Sequence, residues 1–200
     1  MGCRVHCALK ARLQKARLQK KRNEGDNEKT DSGRDAPCRR IVSRRLFLRR
    51  EGGGVRVYLD NCCYNRPFDD QSQLRIKLEA LAKMQVQERM RNGELEYVWS
   101  DTLTLEVTAS PYTDRKNRII WWMLGAAVNV ENTSELVERG RQLQAYGLKP
   151  KDALHLASAE ASGCDFFLTT DSGIYRKVQC LGEMKVLNPV EFAVMRGDDD

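Results

Sequence analysis

At 200 residues and 22.9 kDa the chain suits one domain, or one domain with an appendage. Charged residues make up 31% and hydrophobic ones 41%, an ordinary balance for a globular protein. The longest apolar run, Ile119 to Val128, is ten residues, against the roughly 18 that a membrane span needs. The first thirty residues carry no apolar stretch of signal-peptide type. Membrane and secreted classes are thereby excluded, and a cytoplasmic protein is expected.

The formal net charge of +6 is unevenly spread. Residues 1–54 hold sixteen Lys or Arg against six Asp or Glu, a net of +10, so the remaining 18 bases and 22 acids leave 55–200 at −4. The chain reads as a basic arm on a mildly acidic domain, 1–54 and 55–200. Within the arm, Ala-Arg-Leu-Gln-Lys occurs at 11–15 and again at 16–20, and Arg22 to Arg40 offers almost nothing to bury. Such composition does not repay the entropy of ordering, so a disordered extension is expected. Two readings of it stand: a salt-sensitive phosphate anchor, or a misassigned start. Glu51-Gly52-Gly53-Gly54 immediately precedes Val55; a purine-rich ribosome-binding site reads as Glu-Gly-Gly in frame, and GTG serves as an alternative start codon. The seven cysteines, Cys3, Cys7, Cys38, Cys62, Cys63, Cys164 and Cys180, show no zinc spacing and are expected as reduced thiols.

From Val55 onward, strands and helices alternate. Val55 to Leu59 is an apolar run ending in Asp60, as in a buried parallel strand. Asn65-Arg66-Pro67 is turn chemistry, and Asp69 to Ser72 offers a helix start. Ile76, Leu78, Leu81, Ala82, Met84 and Val86 form an imperfect helical stripe ending before Asn92-Gly93. Leu95 to Trp99 is a second strand, and Asp101 to Ala109 a short helix stopped by Pro111. Asn117 to Ala127 predicts an apolar helix, in which Trp121 and Trp122 cannot both face one core. Val128 to Val130 fits a strand, and Ser134 to Tyr146 a helix ended by Gly147. Pro150 suits the first turn of a helix running to about Ser162. Phe166 to Leu168 and Lys185 to Leu187 complete the strands. This alternation predicts an α/β fold with a parallel sheet.

Such sheets bind ligands beyond the carboxyl ends of their strands, where Asp60 and Asp171 fall. Either alone could be a turn or helix cap. Asp152, in the first turn of its helix, suits the helix dipole without any further role. Glu106 is less easily explained, because its neighbours Leu103, Leu105 and Val107 are expected to face the core. A carboxylate among them needs a partner, and a metal ion would supply one. An exposed helix face is the plainer alternative.

Val57-Tyr58-Leu59-Asp60-Asn61, then Glu106, then Lys151-Asp152-Ala153-Leu154-His155-Leu156-Ala157, then Leu168-Thr169-Thr170-Asp171 together resemble a PIN domain. The subgroup most resembled is the VapC-like ribonuclease toxins. The resemblance spans residues 56–190 and implies a three-layer α/β/α sandwich around a central parallel sheet, often homodimeric. It implies Asp60, Glu106, Asp152 and Asp171 as the catalytic, metal-binding acids, and Asn61, Thr169 and Thr170 as their polar neighbours. Ser172 stands where many relatives place a further acid. It also implies an antitoxin partner and an RNA substrate.

The chemistry is coherent. Three or four carboxylates favour Mg2+ or Mn2+ over zinc, and such an ion activates water and neutralises a scissile phosphate. Arg66 could reach a substrate phosphate or merely solvate its turn. His155 could face the site as a helical neighbour of Asp152, but packing among Leu154, Leu156 and Ala157 is the favoured reading. The leading expectation is a divalent-metal-dependent endoribonuclease, the toxin of a toxin-antitoxin pair. A metal-dependent phosphohydrolase acting on a small substrate and a non-catalytic binding protein are the alternatives.

Overall fold

The computed structural model describes residues 54–197. The expectations for the basic extension, Gly54 apart, and for the closing Asp198-Asp199-Asp200 lie outside the described residues.

Six strands form one sheet in the order β3-β2-β1-β4-β6-β5. They are β1 (Val55–Leu59), β2 (Leu95–Ser100), β3 (Val128–Val130), β4 (Phe166–Leu168), β5 (Cys180–Leu181) and β6 (Met184–Leu187). Every pairing is parallel except β5 with β6. Val57, Tyr58 and Leu59 in β1, and Phe167 and Leu168 in β4, are almost wholly buried. Consecutive buried residues mean both sheet faces are covered, as parallel pairing requires. Each large side chain so enclosed contributes about 1.5–3 kcal/mol.

The helices are α1 (Asn61–Asn65), α2 (Leu74–Arg91), α3 (Asp101–Thr108), α4 (Thr113–Ile120), α5 (Ser134–Leu143), α6 (Pro150–Ala161), α7 (Ser172–Tyr175) and α8 (Pro189–Gly197). α2 packs with α8, and α6 with α5 and α3, giving the expected three-layer α/β/α sandwich. Ser100 caps α3 by accepting from the Leu103 amide at 3.2 Å. Pro150 opens α6 and Gly163, at φ 62°, follows it.

The chain visits β1, β2 and β3 in one direction and then crosses to β4 on the other side of β1. That reversal makes a crevice at the carboxyl ends of β1 and β4, the usual ligand position in such sheets. Asp60 and Asp171 stand on its two sides.

Two expectations about elements are corrected. The apolar run read as one helix over 117–127 is divided between the end of α4, a 3-10 turn at Trp121–Gly125 and the approach to β3. The Trp pair does separate: Trp121 is exposed, and Trp122 packs edge-on against Tyr97. In α2, Ile76, Ala82 and Val86 are buried, but Leu78, Leu81 and Met84 are exposed. At about 100° per residue, positions 74, 78, 81 and 84 share the side opposite 76, 79, 83, 86 and 90. The inward side holds Glu79, which binds Arg66 and Asn188, and Lys83, which lies over the Tyr64 ring.

Candidate active site

β1 delivers Asp60 to the crevice as the residue before α1. Its carboxylate is nearly buried and accepts from the Thr169 hydroxyl at 2.8 Å and the Cys62 thiol at 3.1 Å. Thr169 also accepts from the Asp171 amide at 3.0 Å, so one hydroxyl links the ends of β1 and β4. Asp171 caps α7 through the Gly173 amide at 2.6 Å.

α3 brings Glu106 to the same place. Of its expected core-facing neighbours, Leu103 and Val107 are buried but Leu105 is 63% exposed. Glu106 therefore borders the core, and its partner is His155, whose Nε2 lies 3.0 Å from Oε2. Burial alone would raise the Glu106 carboxyl. The hydrogen bond and charge of His155, with a smaller contribution from Lys151 3.5 Å from Oε1, outweigh it and hold the group below its ordinary value.

Asp152, in the first turn of α6, behaves oppositely. Burial, then the charges of Asp60 and Asp171, raise its carboxyl above the ordinary aspartate value, with Lys149 and His155 offsetting part. Burial and neighbouring carboxylates act in the same direction on an acid so placed. Ligand atoms of Asp60, Glu106 and His155 all lie within 4.8 Å of one another, a spacing one cation could bridge. That set offers two carboxylates and one imidazole, with the Asp152 carboxylate coupled to Asp60 electrostatically, and the carboxylates suit a divalent ion that prefers oxygen.

The other expected residues divide. Thr169 orients Asp60 directly. Thr170 is buried, with its hydroxyl unpartnered and its amide donating to the Cys62 thiol at 3.2 Å. Asn61 Oδ1 accepts from the Asn65 side-chain amide at 3.0 Å. Ser172 is exposed at the start of α7. Arg66 donates toward Asp69 at 3.0 Å and the Thr170 carbonyl at 3.4 Å, and lies 2.9 Å from buried Glu79. Its guanidinium thus braces the turn and the Thr169–Asp171 segment. His155 is buried as expected, but both ring nitrogens bind polar groups, which the packing reading missed. Tyr58, Ser100 and Cys62 were not anticipated either. The three-residue step from Asp152 to His155 was the available signal.

Residues 90–179 match the family model of the PIN domain. Over that span, 90 of its 200 residues, the chain is similar to a PIN domain. The matched span contains Glu106, Asp152 and Asp171 but not Asp60, whose strand β1 is nevertheless central to the sheet. PIN domains are generally nucleases that use divalent metal. Among solved structures, the chain is similar to VapBC2 from Rickettsia felis bound to a DNA fragment from its promoter. That match has 15% identity and a TM-score of 0.40, covering 67% of this chain and 98% of the other. No curated protein matches the sequence. Among the described residues, no helix is long and apolar enough to cross a membrane.

Proposed function

We propose that the chain is a divalent-metal-dependent endoribonuclease, the VapC-like toxin of a toxin-antitoxin pair. The observation that carries this reading is the clustering of Asp60 with Glu106 and, through electrostatic coupling, Asp152 and Asp171 at the β1/β4 crevice of a PIN fold. Asp60, Glu106 and Asp152 would hold Mg2+ or Mn2+, with Asp171 completing the cluster. The ion would supply Lewis-acid activation of water and of the scissile phosphate. Thr169 fixes the Asp60 carboxylate, and Arg66 stiffens the loop carrying Asp171.

The surroundings favour a polymer over a small phosphate ester. A cleft of about 340 Å³ beside Thr169, Thr170 and Asp171 is walled by Leu78, Tyr175, Asn188 and Val190. A second, of about 530 Å³, is formed by Phe68, Tyr112, Arg115 and Arg118. The Arg115 guanidinium lies 5.1 Å from the Phe68 ring centre and 4.6 Å from that of Tyr112, a surface suited to stacked bases and phosphate. Arg115 donates to the Phe68 carbonyl at 3.2 Å, while Arg66, two residues earlier, reaches the Thr170 carbonyl. One short segment thus ties both clefts together.

An antitoxin and a second copy of the chain are the proposed protein partners. The exposed α2 stripe of Leu74, Leu78, Leu81 and Met84 offers apolar surface for association. The domain boundary near residue 54 and a cytoplasmic location, consistent with the thiols of Cys62, Cys63 and Cys180, belong to the same proposal. The test is to offer the full chain, with Mg2+ or Mn2+, mixed cellular RNA beside p-nitrophenyl phosphate. Discrete RNA cuts without ester hydrolysis are expected; ester hydrolysis without cuts would establish the phosphohydrolase, and metal-independent inertness on both the binding protein.

A further inference from the structure

Behind the acids runs a buried polar chain that acid chemistry alone does not require. His155 Nδ1 lies 2.7 Å from the Tyr58 hydroxyl, which lies 2.7 Å from the Ser100 hydroxyl. Ser100 in turn accepts from the Leu103 amide at 3.2 Å. Tyr58, Ser100 and His155 are each at most 1% exposed, so every proton in the chain needs an internal acceptor.

That requirement fixes the direction of each bond. Ser100 Oγ accepts from Leu103, and among the described residues Tyr58 Oη is the one receiver within reach of its buried proton, so that proton goes to Tyr58. The Tyr58 proton then goes to His155 Nδ1, so the ring carries its own proton at Nε2. Nε2–H faces Glu106 Oε2 at 3.0 Å and ends the chain on a carboxylate. The opposite polarity would place a bare Nε2 lone pair 3.0 Å from a carboxylate oxygen, acceptor against acceptor. It would also leave the Ser100 proton without a receiver.

We infer that the Ser100–Tyr58–His155 relay locks His155 in its Nε2–H tautomer, making it a positioning residue that clamps Glu106 Oε2 rather than a metal ligand. The relay starts at the cap of α3 and returns, through β1 and α6, to Glu106 on the same α3. One Glu106 oxygen is held, and Oε1, 3.5 Å from the exposed Lys151 ammonium, is the oxygen a cation would take over from that lysine. The inference rests on the proposed metal site for its consequence, though not for the tautomer itself. Outer hydrogen bonds of this kind typically change metal affinity tenfold or more, about 10–100-fold.

The test uses the full 15N-labelled chain, whose only histidines are His6 and His155. Long-range 1H–15N spectra, with His155→Gln for assignment, read the tautomer without metal and then with Mg2+. The Nε2–H form is expected in both states, and a mixture of tautomers in the isosteric Tyr58→Phe chain. By calorimetry, Tyr58→Phe and His155→Leu should weaken Mn2+ binding about tenfold. His155→Gln, whose amide N–H reaches the same oxygen, should retain most of the affinity. An Nδ1–H tautomer, loss of the Nε2 proton on adding Mg2+, or wild-type Mn2+ affinity in His155→Leu would overturn the inference. The tautomer is read without RNA: an Nε2–H ring in a chain that cuts no RNA refutes the nuclease alone, whereas metal-dependent cutting with an Nδ1–H ring refutes the relay alone.

Discussion

Lys83 gives the sharpest physical test of the fold around the site. Its ammonium lies on the inward side of α2, 5.7 Å from the centre of the Tyr64 ring, in a residue only 5% exposed. Burial pushes its pKa down from 10.5 to about 8, with Cys63 acting upward and Arg91 downward. A base depressed in the fold binds fewer protons there than when unfolded, so stability rises with pH from about 8 to 10.5. At about 1.4 kcal/mol per pH unit, the charged side chain costs about 3 kcal/mol at pH 7. Its attraction to Tyr64 returns about 1 kcal/mol. Lys83→Met, which keeps the stem's volume, should therefore stabilise the protein by about 2 kcal/mol at pH 7. In urea, with a slope of about 2 kcal/mol per M, the midpoint should rise by about 1 M. The difference between variant and wild type should shrink as pH approaches 10.5, which cancels titrations common to both. An unchanged or lower midpoint at pH 7, or a gain independent of pH, would show that the ammonium is not desolvated as described.

Glu79→Ala should destabilise by about 2 kcal/mol, because the nearly buried Arg66 guanidinium loses its buried carboxylate and keeps only that of Asp69. Urea melts would check this, and Glu79→Leu with Arg66→Met should recover most of the loss. Cys62→Ala should cost about 1–2 kcal/mol by removing the acceptor for the Thr170 amide, while Cys62→Ser should cost less than half of that; equal losses would refute the bond. Asp152, raised in the fold, binds protons more readily folded than unfolded, so metal-free stability falls as pH climbs from the ordinary aspartate range through the raised value. In EDTA, Asp152→Asn should flatten that decline and melt no lower than wild type at pH 7. With Mn2+ the order should reverse, because only the wild type gains full binding stabilisation.

β1, β2, β3 and β4 begin where the sequence placed them, because apolar residues dominate each run despite Arg56, Glu96 and Asn129. β5 and α7, at two and four residues, are too short to carry a period, and they escaped notice. α8 was missed although Pro189 opens it. The 119–128 run misled because its apolar residues serve three different elements. In α2, period alone could not tell the core side from the exposed one, since apolar residues occupy both and the core accepts Glu79 and Lys83. Asp60, Glu106, Asp152 and Asp171 were singled out through the resemblance to a PIN domain, with Thr169 as a neighbour. The link from Tyr58 to His155 was not: it spans 97 positions, a distance closed only by the sheet.

RNA cleavage by the full chain, with Mg2+ or Mn2+, with EDTA, and beside Asp60→Asn, tests the central claim most directly. Cuts at defined positions that need the metal and vanish in an equally folded Asp60→Asn protein are the predicted result. Identical cutting by Asp60→Asn, or cutting that survives EDTA, would contradict the assignment of chemistry to this cluster.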